Sequence, residues 1–550
     1  MNIKILVGFI VILFIAFVLR FYNFTLVPPS LNWDEVSIGY NAYSILKSGK
    51  DEWNQFLPLH FKSYGEYKLP AQVYISIPGI YLFGLNEFGV RITPVIYGTV
   101  TVFIMFFLGR NLFGNNFVGF ISAFLLAISP WHIQLTRASF ESSLATLFVT
   151  LGIWFFVKGF KKQIWFVYSM IPFAISVFTY NSARIFAPVF LIALFLIYRK
   201  DLIRFKKFVI LAIVIFVILL LPLTPYLLSG ERSARYKLVS ITDDPGLVLR
   251  INENRGKTNL PEPLPKVVHN KITYTGIAFA KNFLAHFSPE FLFISGAPHK
   301  QHHAQRIGQL YYFQAVFLLI GLIGLFKLKQ KFKGLLLSWV LLAFLPVSVT
   351  NDSIPHALRT LIAAPFFQLI TAFGMLIVSV WLRNRSILWK GSVILVVLII
   401  FVLQFVSYIN NYYQVYPKLY SRDWQYGYKQ VVEYIKNHYF EYDQIIFTRH
   451  YGEPHMFTLF NLNYDPAKYQ NDPNLMRFET HDWVRVLRFD KFYFPDLGDE
   501  GTRFVDIVSE NPSKKLLFIG RAVDFPKEVP RIFSIDFLDG ERAFDIVQVK

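Results

Sequence analysis

A series of long apolar runs, separated by short polar segments, constrains this chain more than any other feature. An α-helix needs about 17–25 mostly apolar residues to cross a bilayer, and only 17% of the 550 residues are charged, against about 25% in soluble domains. The pattern predicts an all-α polytopic membrane domain of about 11 transmembrane helices over residues 1–409. The runs begin near Ile5, Arg91, Asn116, Ser142, Ile164, Ile185, Phe208, Leu310, Gly334, Leu361 and Ser392.

Basic residues are concentrated in alternate loops between these runs. Short loops rich in Lys and Arg stay in the cytoplasm during membrane insertion, so we expect a multi-pass cell-membrane protein with a cytoplasmic N-terminus and an extracytoplasmic C-terminal domain. The formal net charge of +19 then reflects topology and does not indicate a nucleic-acid partner. The predicted cytoplasmic residues are Lys4, Arg110, Lys158, Lys161, Lys162, Arg199, Lys200, Arg204, Lys206, Lys207, Lys327, Lys329, Lys331, Lys333, Arg383, Arg385 and Lys390.

The first apolar run has an alternative interpretation as a cleaved signal peptide, because it follows a basic start. Residues 19–23 are bulky where a cleavage site needs small side chains, so we favour a membrane span. A further apolar stretch, residues 70–85, contains two prolines and two glycines, and we predict that it lies in the membrane interface.

Three long segments are predicted to lie outside the membrane: residues 21–90, residues 224–309 and the tail, residues 410–550. The tail combines an amphipathic helical pattern over residues 426–438 with short strand-like runs. It is therefore predicted to be a small extracytoplasmic α/β domain. The strand-like runs are residues 444–447, 492–494, 516–519 and 544–549.

Several classes of chemistry have no support in the sequence. Because there are no cysteines, disulfides, thiolate zinc sites and cysteine nucleophiles are excluded. The chain contains no phosphate-binding GxxxxGK[ST] loop, no GxGxxG before a helix and no GxSxG elbow. The apolar runs hold no Asp, Glu, Lys or Arg in their interiors, whereas ion-coupled transporters place such groups near mid-membrane. Chemistry at the outer interface is the better fit.

Asp34 and Glu35 form the strongest local signal, directly after the first apolar run. Adjacent carboxylates near a membrane surface can take a proton from an acceptor hydroxyl, or hold a divalent cation against a phosphate. The alternative is structural, because acidic residues in a first helical turn stabilise the helix dipole. A divalent cation is the one cofactor to which this pair points.

Lys68 stands where the first outer segment returns to the interface, close after Glu66. An ammonium at this position suits a lipid phosphate. The alternative is a lysine that extends its charged end to the interface without any ligand.

Arginines and histidines recur at the outer ends of later runs. Arg137, Arg184 and Arg359 suggest an anionic ligand at the outer interface, although each could simply stabilise a helix end. His286, His302 and His303, together with Glu66, are predicted substrate-binding residues. We predict no metal site there, because His302 and His303 are neighbours and cannot share a helix face as ligands four residues apart would.

These residues, in this order, resemble the polytopic glycosyltransferases of the C-type fold that use polyprenyl-phosphate sugars, a group that includes the protein O-mannosyltransferases and the lipid A aminoarabinose transferase. The resemblance extends over residues 1–410, and no single motif carries it. The matching elements are Asp34-Glu35, Lys68-Leu69-Pro70, Arg91-Ile92-Thr93-Pro94, Gly109-Arg110-Asn111-Leu112-Phe113-Gly114, Ser129-Pro130-Trp131 with Arg137 and Glu141, His286-Phe287-Ser288-Pro289-Glu290, Gly308-Gln309-Leu310-Tyr311 and Pro355-His356-Ala357-Leu358-Arg359.

The resemblance implies a hexosyltransferase that moves a sugar from a polyprenyl-phosphate donor to an acceptor on the extracytoplasmic face, with inversion. It implies that Asp34 is the general base and that Glu35 orients the acceptor or a cation. Four basic residues would neutralise the departing lipid phosphate: Lys68, Arg137, Arg184 and Arg359. The sugar and the acceptor, whether protein, lipid or glycan, are left open.

Two other classes of function remain open. A lipid-linked sugar flippase would need a continuous polar path through the spans, which the sequence does not show. A non-catalytic membrane scaffold would need no acidic pair beside an interfacial lysine.

Overall fold

The computed structural model describes residues 3–225, 239–244, 246–328, 330–480, 483–498 and 501–550. Lys329, a predicted cytoplasmic residue, and residues 226–238 and 245 of the predicted outer segment lie outside the described residues, as do the side chains of Lys4 and Glu66. The chain forms two compact units, and each unit is assembled from several separate segments of the sequence.

The first unit comprises Met1–Tyr22, Pro94–Thr136 and Phe140–Asn411. All eleven predicted apolar runs are helical. The helix Glu87–Phe113 starts in the second unit, which includes residues up to Thr93. The helices that carry these runs are Ile3–Phe21, Glu87–Phe113, Asn116–Ala127, Glu141–Gly159, Ile164–Val177, Asn181–Arg204, Lys206–Leu220, Tyr312–Lys327, Lys333–Ser348, Ala364–Leu382 and Ile387–Asn410.

Six helical stretches among the described residues are long and apolar enough to cross a membrane, and five shorter apolar helices accompany them. The chain is therefore a mostly helical, multi-pass membrane protein, while the crossing of all eleven helices and the orientation of the termini stay predictions. The six long stretches are Glu87–Phe113, Glu141–Gly159, Asn181–Arg204, Lys206–Leu223, Leu361–Leu382 and Ile387–Leu419.

Shorter elements connect these helices. They include the 3-10 turns Leu221–Leu223 and Leu361–Ala363 and the π-helical turn Glu290–Ile294. The remaining short helices of this unit are Pro130–Leu135, Leu247–Lys257, Leu264–Val268 and Lys271–Ala285.

Close helix packing in the first unit depends on glycine. A Cβ atom at Gly374 would lie 1.8 Å from the carbonyl oxygen of Phe317, and one at Gly321 would lie 2.1 Å from that of Ile370. The helices Tyr312–Lys327 and Ala364–Leu382 therefore approach backbone to backbone, as small residues allow in membrane bundles.

The second unit comprises Asn23–Thr93, Arg137–Ser139 and Tyr412–Lys550. Its strands are β1 (Phe61–Ser63), β2 (Glu66–Lys68), β3 (Gln444–Phe447), β4 (Met476–Glu479), β5 (Val484–Phe489), β6 (Phe492–Tyr493), β7 (Leu516–Gly520), β8 (Phe533–Asp536) and β9 (Arg542–Val549). Strands β1 and β2 form a hairpin, and the other seven form one sheet in the order β4-β5-β6-β3-β7-β9-β8. The central strand β3 is parallel to β6 and β7, and the outer pairs are antiparallel.

Strands occur at all four predicted runs of the tail, and the predicted amphipathic helix is Tyr428–Asn437. The helix Pro70–Phe83 occupies most of the stretch predicted to be interfacial, and that location stays a prediction. The other helices and helical turns of this unit are Trp33–Ser48, Tyr416–Leu419, Tyr439–Glu441, Pro454–Asn461, Pro466–Gln470, Phe504–Glu510 and Ala522–Asp524, and the π-helical turn Asn411–Val415 begins at the last residue of the first unit.

The division into units differs from the predicted boundary at residue 410, because the first outer segment shares a hydrophobic core with the tail. Buried Val36 and Tyr40 lie in one cluster with Phe457 and Phe460 of the tail. A Cβ atom at Gly39 would lie 2.6 Å from the Phe460 ring, so only glycine allows the two helices to pack this closely. The tail therefore supports the segment that carries the predicted catalytic residues.

Candidate active site

The helix Trp33–Ser48 begins with a capping box. The Asn32 side chain accepts a hydrogen bond from the Glu35 backbone at 3.0 Å, and the Glu35 carboxylate accepts one from the Asn32 backbone at 3.2 Å. Two backbone N–H groups that a helix start leaves unpaired are thereby satisfied. The structural interpretation of the acidic pair thus holds for Glu35.

Glu35 is also fully buried against Arg91. The Nε and Nη2 atoms of Arg91 donate to the two carboxylate oxygens of Glu35 at 2.8 and 2.9 Å, and the Ser139 backbone N–H donates to the same carboxylate at 3.0 Å. Neither charged side chain has any exposed surface. A bidentate ion pair of this kind fixes the distance and the relative orientation of its two side chains. Glu35 therefore positions the helix and does not face solvent.

Arg91 also holds the segment that precedes this helix. Its guanidinium donates to the carbonyl oxygens of Phe24, Pro28 and Ser30 at 3.1, 2.8 and 2.5 Å. Arg91 was not predicted to be a site residue. The one sequence feature that pointed to Arg91 is its position at the start of an apolar run. A charged residue that is buried there must be paired with other groups.

Asp34 has a different environment from its neighbour. Lys68, at the end of β2, donates from Nζ to Oδ1 of Asp34 at 2.5 Å. The hairpin holds Lys68 opposite Phe61 of β1. The Lys68 side chain is 4% exposed, whereas that of Asp34 is 29% exposed. The structure therefore combines a buried ammonium with a carboxylate that a substrate can reach.

Arg137 belongs to the same unit. Its Nε and Nη2 atoms donate to the carbonyl oxygen of Val27 at 3.2 and 2.8 Å, and Nη1 donates to the hydroxyl of Tyr413 at 2.9 Å. The guanidinium lies 5.4 and 5.2 Å from the ring centroids of Tyr412 and Tyr413. Arg137 is thus a buried cation held by the first outer segment and the start of the tail.

The tail also fixes the helix start from the other side. The Trp33 backbone N–H donates to Oε1 of Gln425 at 2.8 Å, and the amide nitrogen of Gln425 donates to the carbonyl oxygen of Tyr451 at 2.8 Å. Sequence reasoning missed Gln425, because its partner lies 392 residues away and no local pattern marks the contact.

The two carboxylates do not point to one cation. Both oxygens of Glu35 are used by Arg91, Asn32 and Ser139, while Asp34 contacts Lys68. Among the residues that the structure describes, no three His, Asp or Glu side chains are grouped as metal ligands. The arrangement therefore does not fit a cation shared by the pair, and a divalent cation at Asp34 alone stays a prediction.

The first unit contains a second cluster, around His286 and Arg359. His286 shares a hydrogen bond between Nδ1 and the carbonyl oxygen of Asn282 at 2.7 Å, and its Nε2 accepts from the His356 backbone at 3.0 Å. Because Nε2 accepts, the ring is neutral with its proton on Nδ1. Burial agrees with this assignment, since it lowers the pKa of His286 to about 4.

Arg359 is paired within this cluster. Its guanidinium donates to Oδ2 of Asp352 at 2.6 Å and to the hydroxyl of Thr350 at 2.9 Å. Burial alone would raise the pKa of Asp352, but the charge and hydrogen bond of Arg359 lower it. The positive charge of Arg359 is therefore matched by a carboxylate.

The other predicted residues of this unit have distinct environments. The rings of His302 and His299 are stacked at 3.6 Å, and the ring of His356 lies 5.1 Å from that of His302. His303 is buried, which lowers its pKa to about 3. Arg184 lies in the first turn of the helix Asn181–Arg204 and is half-buried.

Comparisons with known proteins agree with the resemblance seen in the sequence. Residues 70–226 match the family described as dolichyl-phosphate-mannose-protein mannosyltransferase. An uncharacterized protein of Aquifex aeolicus (strain VF5) is 26% identical over 207 residues, which are 36% of this chain and 40% of that protein. The match therefore spans less than half the length of this curated relative.

Two solved structures share the fold. The Archaeoglobus fulgidus oligosaccharyltransferase in its apo form is 14% identical, with a TM-score of 0.50 over 94% of this chain and 70% of that chain. ArnT from Cupriavidus metallidurans bound to undecaprenyl phosphate is 14% identical, with a TM-score of 0.50 over 99% of this chain and 97% of that chain. The predicted resemblance to polytopic glycosyltransferases of the C-type fold is confirmed.

Proposed function

We propose that this protein is a membrane glycosyltransferase that moves a sugar from a polyprenyl-phosphate donor to an acceptor hydroxyl on the extracytoplasmic face. The observation that carries the proposal is the partly exposed Asp34 carboxylate, held by the buried Lys68 ammonium in a protein with this fold. The family matched by residues 70–226 is named for a dolichyl-phosphate sugar donor, and the similar ArnT structure contains undecaprenyl phosphate. Both support a polyprenyl-phosphate sugar as donor.

In the proposed reaction, Asp34 is the general base. The acceptor oxygen forms a bond to the anomeric carbon of the sugar while the bond from that carbon to the phosphate oxygen breaks. The acceptor proton moves to the Asp34 carboxylate, and the electron pair of the broken bond leaves with the polyprenyl phosphate. Attack from the side opposite the phosphate inverts the anomeric centre. A positioned base of this kind contributes about 10²–10⁴-fold to the rate.

Lys68 and Arg137 are the cations of this unit that we propose for the lipid phosphate. Positive charge held ready in a partly buried site stabilises the negative charge that develops on a leaving group. An ammonium has three N–H donors, so Lys68 can release or share its contact with Asp34 when a phosphate binds. Arg184 and Arg359 remain predicted phosphate ligands. Arg359 would have to leave Asp352 to serve that role.

Glu35 is proposed as a positioning residue and not as a second catalytic group. Its contacts with Asn32, Arg91 and Ser139 fix the first helical turn, and that turn presents Asp34. The predicted substrate ligands Glu66, His286, His302 and His303 stay predictions.

The proposal is tested with the full chain in phospholipid nanodiscs and radiolabelled polyprenyl-phosphate sugars, with release of polyprenyl phosphate as the readout. Asp34→Asn should reduce release about 10²–10⁴-fold, while a cooperative thermal unfolding transition shows that the variant is still folded. Glu528→Gln, an exposed carboxylate of the tail, is the control and should leave release unchanged. Full activity of Asp34→Asn would overturn the assignment of the base. Lipid translocation in vesicles without any sugar transfer would overturn the function itself.

A further inference from the structure

Three aromatic rings form a group that begins at Trp33, the residue before Asp34. The ring centroids of Trp33 and Tyr64 lie 6.1 Å apart, those of Trp33 and Trp483 lie 6.1 Å apart, and those of Tyr64 and Trp483 lie 6.0 Å apart. The rings of Tyr64 and Trp483 are nearly parallel, at 12°. We call Trp33, Tyr64 and Trp483 the aromatic cluster. Its members come from the helix start, the hairpin turn and the residue before β5.

Backbone contacts hold the aromatic cluster in place. The Tyr64 hydroxyl donates to the carbonyl oxygen of Trp33 at 2.9 Å, and the Val484 N–H donates to the carbonyl oxygen of Tyr64 at 2.6 Å. Tyr64 has a φ of 49°, in the left-handed region. This conformation costs free energy for a bulky residue and is maintained only where the surroundings impose it. The cluster is therefore a built arrangement of the tail and the first outer segment.

A buried carboxylate borders the aromatic cluster. Glu453 accepts a hydrogen bond from the indole nitrogen of Trp483 at 2.5 Å, and its other oxygen lies 3.4 Å from Nδ1 of His455. Burial raises the pKa of Glu453 to about 6. The negative charges of Glu453 and Asp34 both act on the Tyr64 hydroxyl, whose pKa is raised mainly by burial and further by these two groups. Carboxylates therefore lie near the same ring that packs against both tryptophans.

The cluster is open to a ligand. Tyr64 is buried, whereas Trp33 and Trp483 are only half-buried. Trp33 directly precedes Asp34 in the same helical turn. The charge of Asp34 acts on the Tyr64 hydroxyl, so a molecule that lies over these rings is near the carboxylate that we propose as the base.

We propose that the aromatic cluster is the acceptor subsite and that the acceptor is a carbohydrate, either a free glycan or the sugar part of a glycolipid. This inference rests on the proposed function, since it names the class of acceptor for the same site. A pyranose ring has one face of polarised C–H groups and a rim of hydroxyls. Its C–H face matches the negative face of an indole, and its hydroxyls match the partly exposed carboxylate of Asp34.

A peptide acceptor fits these contacts less well. An extended peptide needs backbone partners along its length, whereas the N–H of Trp33 and the carbonyl oxygens of Trp33 and Tyr64 are already used in internal hydrogen bonds.

The inference is tested by direct binding, without any donor. The full chain in nanodiscs is applied to an array of immobilised glycans and of serine- and threonine-containing peptides. We expect binding to a subset of the glycans, with at least about fivefold weaker affinity for Trp33→Ala and for Trp483→Ala. Trp33→Phe keeps a ring and should bind within about twofold of the natural protein. Phe440→Ala removes a tail ring that is 94% exposed and should leave affinity unchanged.

Follow-up titrations distinguish the two sources of the sugar. A glycan that binds on the array is titrated once as a soluble oligosaccharide and once as a glycolipid within the nanodisc, and tighter binding of the second form identifies a lipid-borne acceptor. Failure to bind any glycan, or equal binding by Trp33→Ala and Trp33→Phe, would overturn the inference. Transfer to peptides without glycan binding would overturn it while the proposed function stands. Glycan binding without donor turnover would overturn the proposed function, while the aromatic cluster would stand as a carbohydrate-binding site.

Discussion

The Nζ atom of Lys68 lies 2.5 Å from the Oδ1 atom of Asp34, across a gap of 34 residues in the chain. The ammonium is almost fully buried, whereas nearly a third of the carboxylate side chain is exposed. A buried partner of this kind restricts the rotation of the exposed group and leaves its other oxygen available to a substrate. Asp34 is therefore oriented before any substrate arrives.

The first prediction concerns the energetic coupling of this pair. Asp34→Asn and Lys68→Gln should each reduce kcat/KM for sugar transfer, but the double variant should lose no more than about tenfold beyond the more damaged single variant, because residues that act as a unit are not additive. Kinetics of the four proteins measure the coupling. Lys62→Gln is the matched control, since this β1 lysine pairs with Glu479 and should combine additively with Asp34→Asn. Additive losses for Lys68→Gln would contradict the prediction.

The second prediction concerns the buried ion pair between Glu35 and Arg91. Glu35→Ala leaves an arginine charge in the interior without its carboxylate, which should lower the free energy of unfolding by about 3–5 kcal/mol. Thermal unfolding of the protein in nanodiscs measures the effect. Glu87→Gln breaks the more exposed pair with Lys429 and should cost less than about 1 kcal/mol. Equal losses for the two variants would show that the buried pair has no special structural role.

The third prediction is a pH dependence of stability that comes from Glu52. This carboxyl is buried and hydrogen-bonded to Asn41, and burial raises its pKa from 4.5 to about 7. Between these values the folded state binds more protons than the unfolded state, so stability falls as the pH rises from about 4.5 to 7. The full loss above pH 7 is about 3 kcal/mol.

Thermal unfolding between pH 5 and pH 8 checks this expectation. Glu52→Gln should remove most of the decline in unfolding temperature, because the amide does not titrate. Glu528→Gln, which changes an exposed carboxylate, should retain it. A decline that persists in Glu52→Gln would assign the pH dependence to other groups, among them Glu453, whose pKa burial raises to about 6.

The fourth prediction concerns Gly452, which packs beneath the aromatic cluster. A Cβ atom there would lie 2.7 Å from the Trp33 ring and 2.4 Å from the amide nitrogen of Gln425. Gly452→Ala should therefore displace Trp33 and weaken glycan binding as strongly as Trp33→Ala does. Gly540→Ala is the matched control, because Gly540 also has a positive φ but open space around its Cβ position. Unchanged binding by Gly452→Ala would show that Trp33 does not require this contact.

Much of the architecture could be predicted from local sequence patterns. The eleven apolar runs are helices, and the four predicted tail strands begin and end within a few residues of their predicted limits, because hydrophobic periodicity reflects local burial. Strands β4, β5 and β8 were not predicted. Asp34 and Glu35 were predicted to act together. In the helix they point about 100° apart, which directs Glu35 to the interior and Asp34 toward Lys68.

The parts that escaped prediction depend on contacts between distant segments. Arg91 finds its carbonyl partners in the loop before Trp33, and Trp483 packs against Tyr64 from the far end of the chain. No periodicity or spacing marks such pairs. The predicted boundary at residue 410 differed from the structure for the same reason, since the core shared by Tyr40 and Phe460 is visible only in three dimensions.

The hydrogen bond from the Trp33 backbone to Gln425 also affects biosynthesis. Its partners are separated by 392 residues, so the first helical turn cannot attain its final contacts until the ribosome has synthesised the tail. All the apolar helices precede Gln425 in the chain. The geometry around Asp34 is therefore completed late in synthesis, after every apolar helix has been made, and a chain that terminates early lacks an assembled site.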